Sequence, residues 1–471
     1  MIWLLAGGAA CAIGYILFAA SSVSFVAFDH LALLWAALFL GYSVSLRGAY
    51  GTWRFPFLGF AERGNVSSSG RRIAVIWGGA ILFRALLVPG PPVLSDDLYR
   101  YLWDGKVLLH GINPYRYPPS APELSGLRDA LWPLINHPDL PTIYPPLCMV
   151  FFALIAWIAP GVLAWKLFVV GMDLAAGYAF MRALEVRGKP REWVALYLWH
   201  PLVMLELAAN GHVEAMGMLC IAIAFWTWSK KKPFATAVSL GVGGMVKFLP
   251  WIALPLLWPR LRARWFVVPL MIGACYAAFW RPGLNPLGSL GVFVGKWRSN
   301  DFLFSIFVSH TATESQLWFA KWIALGWVAL VVALMLRLRR DWISTYAWTV
   351  GALFLVSPVV HPWYLIWLLP VLFALPHPAW WVWSCTVILA YRPLAVFRAT
   401  GVWEESLAWK AWEVSPALTL LPIQAWLEWT AVRSRPIRLH ADRSASENAA
   451  YAGEFEAPAS SCVRASRETS S

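Results

Sequence analysis

The sequence predicts an all-α, polytopic membrane helix bundle, and three observations carry that prediction. Of 471 residues, 59% are hydrophobic and 13% charged, about half the charge of ordinary soluble domains. Apolar runs recur along most of the chain, each near the roughly 20 residues a helix needs to cross hydrocarbon. The 32 Trp, 33 Pro and 33 Gly suit interfacial anchors and broken helices. These figures argue against a soluble α/β enzyme. A net charge of +13 would suit nucleic acid in a soluble protein. Here the excess lies in loops, where membrane proteins keep Arg and Lys inside, and no nucleic-acid partner is expected.

Taken in order, the expected spans are 2–20, 31–46, 73–88, 163–184, 193–208, 213–228, 265–280, 317–336, 343–360, 363–375, 380–396 and 416–432. The first lacks a basic leader and is followed by more spans, so it reads as a helix and not a cleaved signal. Cys11, Cys148, Cys220, Cys275, Cys385 and Cys462 are scattered without metal-ligand spacing and read as small buried residues. Basic turns fix the orientation. Arg47, Arg54, Arg63, Arg71 and Arg72 share one loop, and further turns lie at 187–191, 230–232, 260–264 and 337–340. With these inside, both termini are cytoplasmic, and 91–143 lies outside with the segments near His212, Arg298 and His361.

Two stretches are irregular. Residues 144–160 carry Pro145–Pro146 at the start and Pro160 at the end, and a full span there would break the parity of sides, so they read as a helix dipping in from the outer face. Residues 234–258 lie between two basic turns and carry Gly241, Gly243, Gly244 and Pro250. They read as a hairpin of short helices with Lys247 in its bend, against protein or a wet cavity. With the hairpin, twelve to fourteen membrane helices are expected within a membrane domain of 1–432. The Arg- and Ser-rich remainder, 433–471, reads as a disordered inner tail.

Charge concentrates in 91–143, which holds six acids and four bases. Bilayer proteins keep charge where it is solvated, paired or used. Ser95-Asp96-Asp97 reads as a helix start, with a hydroxyl cap and acids in the first turn. The helix would run towards His110 and stop at Gly111. Asp97, Tyr101, Asp104 and Leu108 then share a face, with Arg100 at helical spacing between the acids. A carboxylate so placed can accept a proton. The same pattern also serves a plain helix start with a surface ion pair, so alone it leaves both readings open.

The stretch SDDLYRYLWDGKVLLHGINPYRYPP resembles the first outer loop of bacterial polyprenyl-phosphate-dependent mannosyltransferases of the GT-C glycosyltransferase superfamily. TIYPPL at 142–147, WHPLVMLELAANGHVEAMG at 199–217, SPVVHPWYLIWLLP at 357–370 and a Lys-x-x-Pro element at Lys247–Pro250 are similar too. The resemblance implies a GT-C bundle in the cell inner (plasma) membrane. Its function would be to move a sugar, mannose by default, with inversion from a polyprenyl-phosphate donor to a glycan or glycolipid hydroxyl on the outer face. In that family an acid of the first outer loop is the base or positions the acceptor. The Asp-x-Tyr element puts this role on Asp97, with Asp96 the close alternative. An Asp-x-Asp spacing seen in some relatives is absent; no cofactor is fixed, and a divalent cation is left open.

The chemistry needs a base on one side of the sugar and a stabilised phosphate on the other. Lys247, His361, Arg100 and His212 are the cations or donors at hand. Substrate contact is expected from Tyr101, Asp104, Asn113, Tyr115, Tyr144, Asn210, Glu214, Trp363 and Tyr364 as well. Glu206 and Asp173 are acids within apolar runs, functional by default but equally able to pair with Lys166, Arg182 or Arg84. Residues 297–301 in an outer segment could touch the acceptor by location alone. A transporter or flippase for a lipid-linked sugar, or a non-catalytic assembly subunit, is the alternative. A transporter predicts mid-span coupling acids and a repeat of two halves, neither of which dominates this sequence.

Overall fold

The computed structural model describes residues 1–21, 28–50, 70–309, 312–338, 342–373 and 377–433. The expected tail, most of the first basic loop and part of the 337–340 turn lie outside those residues. Helices are the regular structure of the described residues, whose one strand-like contact is an isolated bridge between Ser299 and Val359.

Helices α1 (Ile2–Ser21) and α2 (Phe28–Tyr50) form an antiparallel pair against α3 (Gly70–Leu87). Their outer faces carry exposed Ile2, Leu5, Ile13, Leu33 and Leu40, as lipid-facing helices do. Beyond α3 the chain leaves the bundle for α4 (Asp97–Leu109), then returns through α5 (Pro146–Ile158) to α6 (Val162–Val186). Helix α6 receives the end of α3: Lys166 Nζ donates to the carbonyls of Leu87 (3.0 Å) and Gly90 (2.7 Å), groups the helix end leaves without partners. Lower down, Arg84 meets Asp173 at 2.6 Å, both buried. Of the partners open to Asp173, the structure selects Arg84.

Six described stretches are long and apolar enough to cross a membrane: Ile2–Ser21, Phe28–Tyr50, Val162–Val186, Leu249–Phe279, Glu314–Arg337 and Pro378–Thr400. Four shorter apolar helices join them, at Pro146–Ile158, Glu214–Ser229, Trp342–Val356 and Pro362–Leu372. The multi-span, all-α class therefore holds, with fewer long helices than expected spans. Residues 193–208 show why. Pro201 and its neighbours break that run into short pieces, ending in a π-helical turn at Met204–Ala209. Nearly every side chain there is buried, and broken backbone is tolerated where protein surrounds it.

One large apolar core links the described bundle, while the outer loop has a small core of its own from Trp103, Val107, Leu124 and Ile135. The loop is thus a folded cap. It sits close to the bundle at Gly105, where a Cβ would fall 2.3 Å from the Phe152 carbonyl oxygen on α5.

Candidate active site

Helix α4 begins at the expected acids, but its cap residue is Asp96, with no side-chain cap hydrogen bond, and Ser95 lies one residue before it. Ser95 Oγ accepts from the Asp97 amide at 3.3 Å, and Gly111, at φ 73°, follows the His110 cap at the other end. Gly111 needs no strain there. Arg100, expected between the acids, donates through Nε to buried Asp104 at 3.0 Å. Its other nitrogens donate to the carbonyls of His137 (3.4 Å) and Leu140 (2.8 Å). This clamp holds the 136–140 strap over the helix start. Asn136 Nδ2 then donates to both Asp96 Oδ1 (2.9 Å) and Asp97 Oδ1 (2.7 Å). One amide thereby bridges the two carboxylates.

These acids open onto a cavity of about 1060 Å³. Asp96, Asp97, Arg100 and Tyr144 line it from the cap, and Lys247, His361, Trp363 and Tyr364 line it from the bundle. The Lys247 ammonium bonds Glu214 and lies 4.2 Å from the Tyr364 ring centroid. Glu214 is fully buried behind it. Trp363 stacks on both His212 (4.2 Å) and His361 (4.5 Å).

The remaining expected residues sit behind the cavity wall or beside it. Asn113 Nδ2 donates to the Phe279 carbonyl (2.7 Å), its Oδ1 accepts from the Tyr115 amide, and Tyr115 OH donates to the Tyr144 carbonyl. That turn fixes Tyr144. Asn210 Oδ1 accepts from the Leu94 amide at 3.2 Å, tying the approach to α4 onto the bundle. Tyr101 OH lies 3.5 Å from both Asp97 Oδ2 and His212 Nδ1. Trp297 and Arg298 line the cavity, whereas Asp301 is buried in ion pairs with Arg298 and Lys410, both at 2.7 Å.

Asn136, His137, Tyr391, Arg398 and Trp403 also line the cavity, and sequence reasoning passes over them. Asn136 and His137 stand about 40 residues from the acids, in a stretch without helical period. Arg398 and Trp403 come from the far end of the chain, which no spacing rule connects to the loop.

Electrostatics separate the neighbours. The cavity walls strip water from the Asp96 carboxyl although one edge stays exposed. With the Asp97 charge beside it, this raises its pKa above the usual carboxylate range, against the Asn136 hydrogen bond. Burial pushes His361 down to about 4, with Asp97 opposing and Lys247 and His212 reinforcing, so it is a neutral imidazole at pH 7. Among the described residues, no group of three or more His, Cys, Asp or Glu is placed to hold a metal ion.

Comparison with known proteins adds the family. The chain is 25% identical over 379 residues to a Mycolicibacterium smegmatis protein named "Probable alpha-(1->6)-mannopyranosyltransferase". The match covers 64% of each chain, so under two thirds of that relative's length is represented. No solved structure matches. Residues 7–262 match the family described as alpha-(1->6)-mannopyranosyltransferase, N-terminal domain. That stretch contains α4, the acids and Lys247. Because it is more than half of the chain, the protein belongs to the alpha-(1->6)-mannopyranosyltransferase family.

Proposed function

We propose that the protein is a membrane glycosyltransferase that moves a mannosyl unit from a polyprenyl-phosphate donor to a glycan or glycolipid hydroxyl at the outer face of the inner membrane, with inversion. One observation carries the reading: a single large cavity joins a paired-acid cap to a bundle wall carrying Lys247 and His361. Family membership supports mannose and, from the relative's name, an α-(1→6) product.

In this reaction Asp97 accepts the proton of the acceptor hydroxyl as its oxygen bonds the anomeric carbon. The bond from that carbon to the phosphate oxygen breaks, and its electron pair stays on the phosphate. Asp97 suits this role because one oxygen is held by Asn136 while Oδ2 has only long contacts, to Tyr101 at 3.5 Å and His212 at 3.8 Å. Lys247 and the neutral His361 donate to the phosphate oxygens. The phosphate then competes with Glu214 for the ammonium. The lipid tail of the donor stays in the bilayer, which lets an outer-face site work without cytosolic nucleotide sugars. Residues 144–160 dip from the outer face, and 234–258 form the hairpin that carries Lys247 to membrane depth.

The test is Asp97→Asn in purified, reconstituted protein supplied with polyprenyl-phosphate mannose and a mannoside acceptor. Transfer should fall at least about 100-fold, with membrane insertion and thermal unfolding unchanged. Transfer retained in Asp97→Asn would remove the base. A wild-type protein that carries the lipid-linked sugar across vesicles without transferring it would make this a flippase.

A further inference from the structure

His212 lies between two carboxylates. Its Nε2 is 3.3 Å from Glu206 Oε2, in ion-pair contact without the alignment of a hydrogen bond, and its Nδ1 is 3.8 Å from Asp97 Oδ2. Tyr101 OH stands 3.5 Å from that Nδ1 and 3.5 Å from Asp97 Oδ2. A neutral imidazole carries one N–H and one lone pair. Either tautomer would turn a lone pair towards a carboxylate, relieved at Nδ1 only by a long Tyr101 contact, whereas the doubly protonated ring presents an N–H to both carboxylates. Glu206 is fully buried in the π-helical turn Met204–Ala209, the kind of insertion often found at functional sites. Tyr391 OH (2.7 Å) and Asn210 Nδ2 (3.0 Å) both donate to its carboxyl oxygens.

We propose that Glu206 and His212 form a buried carboxylate–imidazolium pair that keeps Asp97 in its ionised, proton-accepting form. This rests on the reading of Asp97 as base, and makes both residues positioning residues that act through it. The charges facing His212 agree. Asp97 comes from α4, Glu206 from the π-helical turn and Glu214 from the Glu214–Ser229 helix, with Lys247 already bonded to Glu214. Three carboxylates thus share one ammonium, and an imidazolium removes a further negative charge. Tyr101, Asn210 and Tyr391 are neutral polar groups. Trp363 presents an aromatic face to His212 at 4.2 Å, an arrangement that favours a cation, and His361 on the same indole is neutral. Burial lowers the His212 pKa, but Glu206, Glu214 and Asp97 outweigh it and the net shift is upward.

Glu206→Gln tests the pair by the pH profile of kcat/KM for mannosyl transfer. With the imidazolium lost, Asp97 protonates more easily. The acid limb should move up by about one pH unit, a tenfold change in proton affinity, while the high-pH plateau and the donor KM stay within a few-fold. Glu206→Asp should restore the limb. A uniformly lower rate with an unmoved limb would assign Glu206 to packing and overturn the proposal. The protonation state has its own readout, which needs no transfer. In nitrogen-15 histidine NMR of the full chain, the resonance missing from His212→Asn should be an imidazolium at pH 7, and a neutral tautomer there sinks the proposal. Failure of Asp97 as base would leave that spectrum unchanged, so the two readings fail separately.

Discussion

At the scale of single residues, two adjacent aspartates have different surroundings because one amide and one guanidinium arrange them. Asn136 bridges both, and Arg100, turned towards Asp104, holds the strap that carries Asn136. The sequence made the helix start legible, since a hydroxyl before two acids has a local cause. Helical spacing put Arg100 within reach of both acids, but spacing cannot weigh burial, which selects Asp104. Asp104 is 2% exposed and needs a partner, while Asp97 keeps an open side. Asp96 yields a pH prediction. Its pKa is raised in the fold, so the ionised form costs stability above that pKa, and the cost vanishes once acid protonates it in both states. Asp96→Asn should therefore raise the unfolding temperature at pH 8, with the gain disappearing towards pH 4. A gain that grows on acidification would contradict the assignment.

At the scale of elements, the long apolar helices followed directly from composition, whereas the broken ones did not. Residues 193–208 read as one span because an apolar run looks alike whether it faces lipid or protein. Only burial on all sides, visible in three dimensions, permits the break at Pro201. The contact between α3 and α6 was legible only as a choice of partners for Asp173. Removing either member of the Arg84–Asp173 pair leaves a buried charge, at a cost of about 3–5 kcal/mol. Arg84→Met and Asp173→Leu, each alone, should lower thermal stability in detergent sharply. The double variant should recover most of it, since two apolar chains replace two compensated charges. Equal losses in all three would show that the pair contributes through shape and not charge.

For the whole molecule, basic turns predict which side each loop faces, and the folded cap of 91–143 is where the prediction matters. Ser125 is exposed on that cap and Lys232 on a basic turn. In a chain whose native cysteines are changed to alanine, Ser125→Cys should react with an impermeant maleimide from outside intact cells. Lys232→Cys should react only after permeabilisation, and the reverse pattern would invert the protein and its site. The cavity itself was the least legible feature. Its acids come from one loop and share a local pattern, but Lys247, His361, Trp363 and Tyr364 lie 150 or more residues later, and only folding brings them together.

That separation bears on how the protein is made. Ribosomes deliver the cap's carboxylates first, then Lys247 and then His361, while Asn113 cannot dock until Phe279 arrives 166 positions downstream. On the proposed roles, a chain stopped before His361 would hold the acids and Lys247 without the full cavity wall. If the proposed reaction holds, copies stopped before His361 should transfer no mannose.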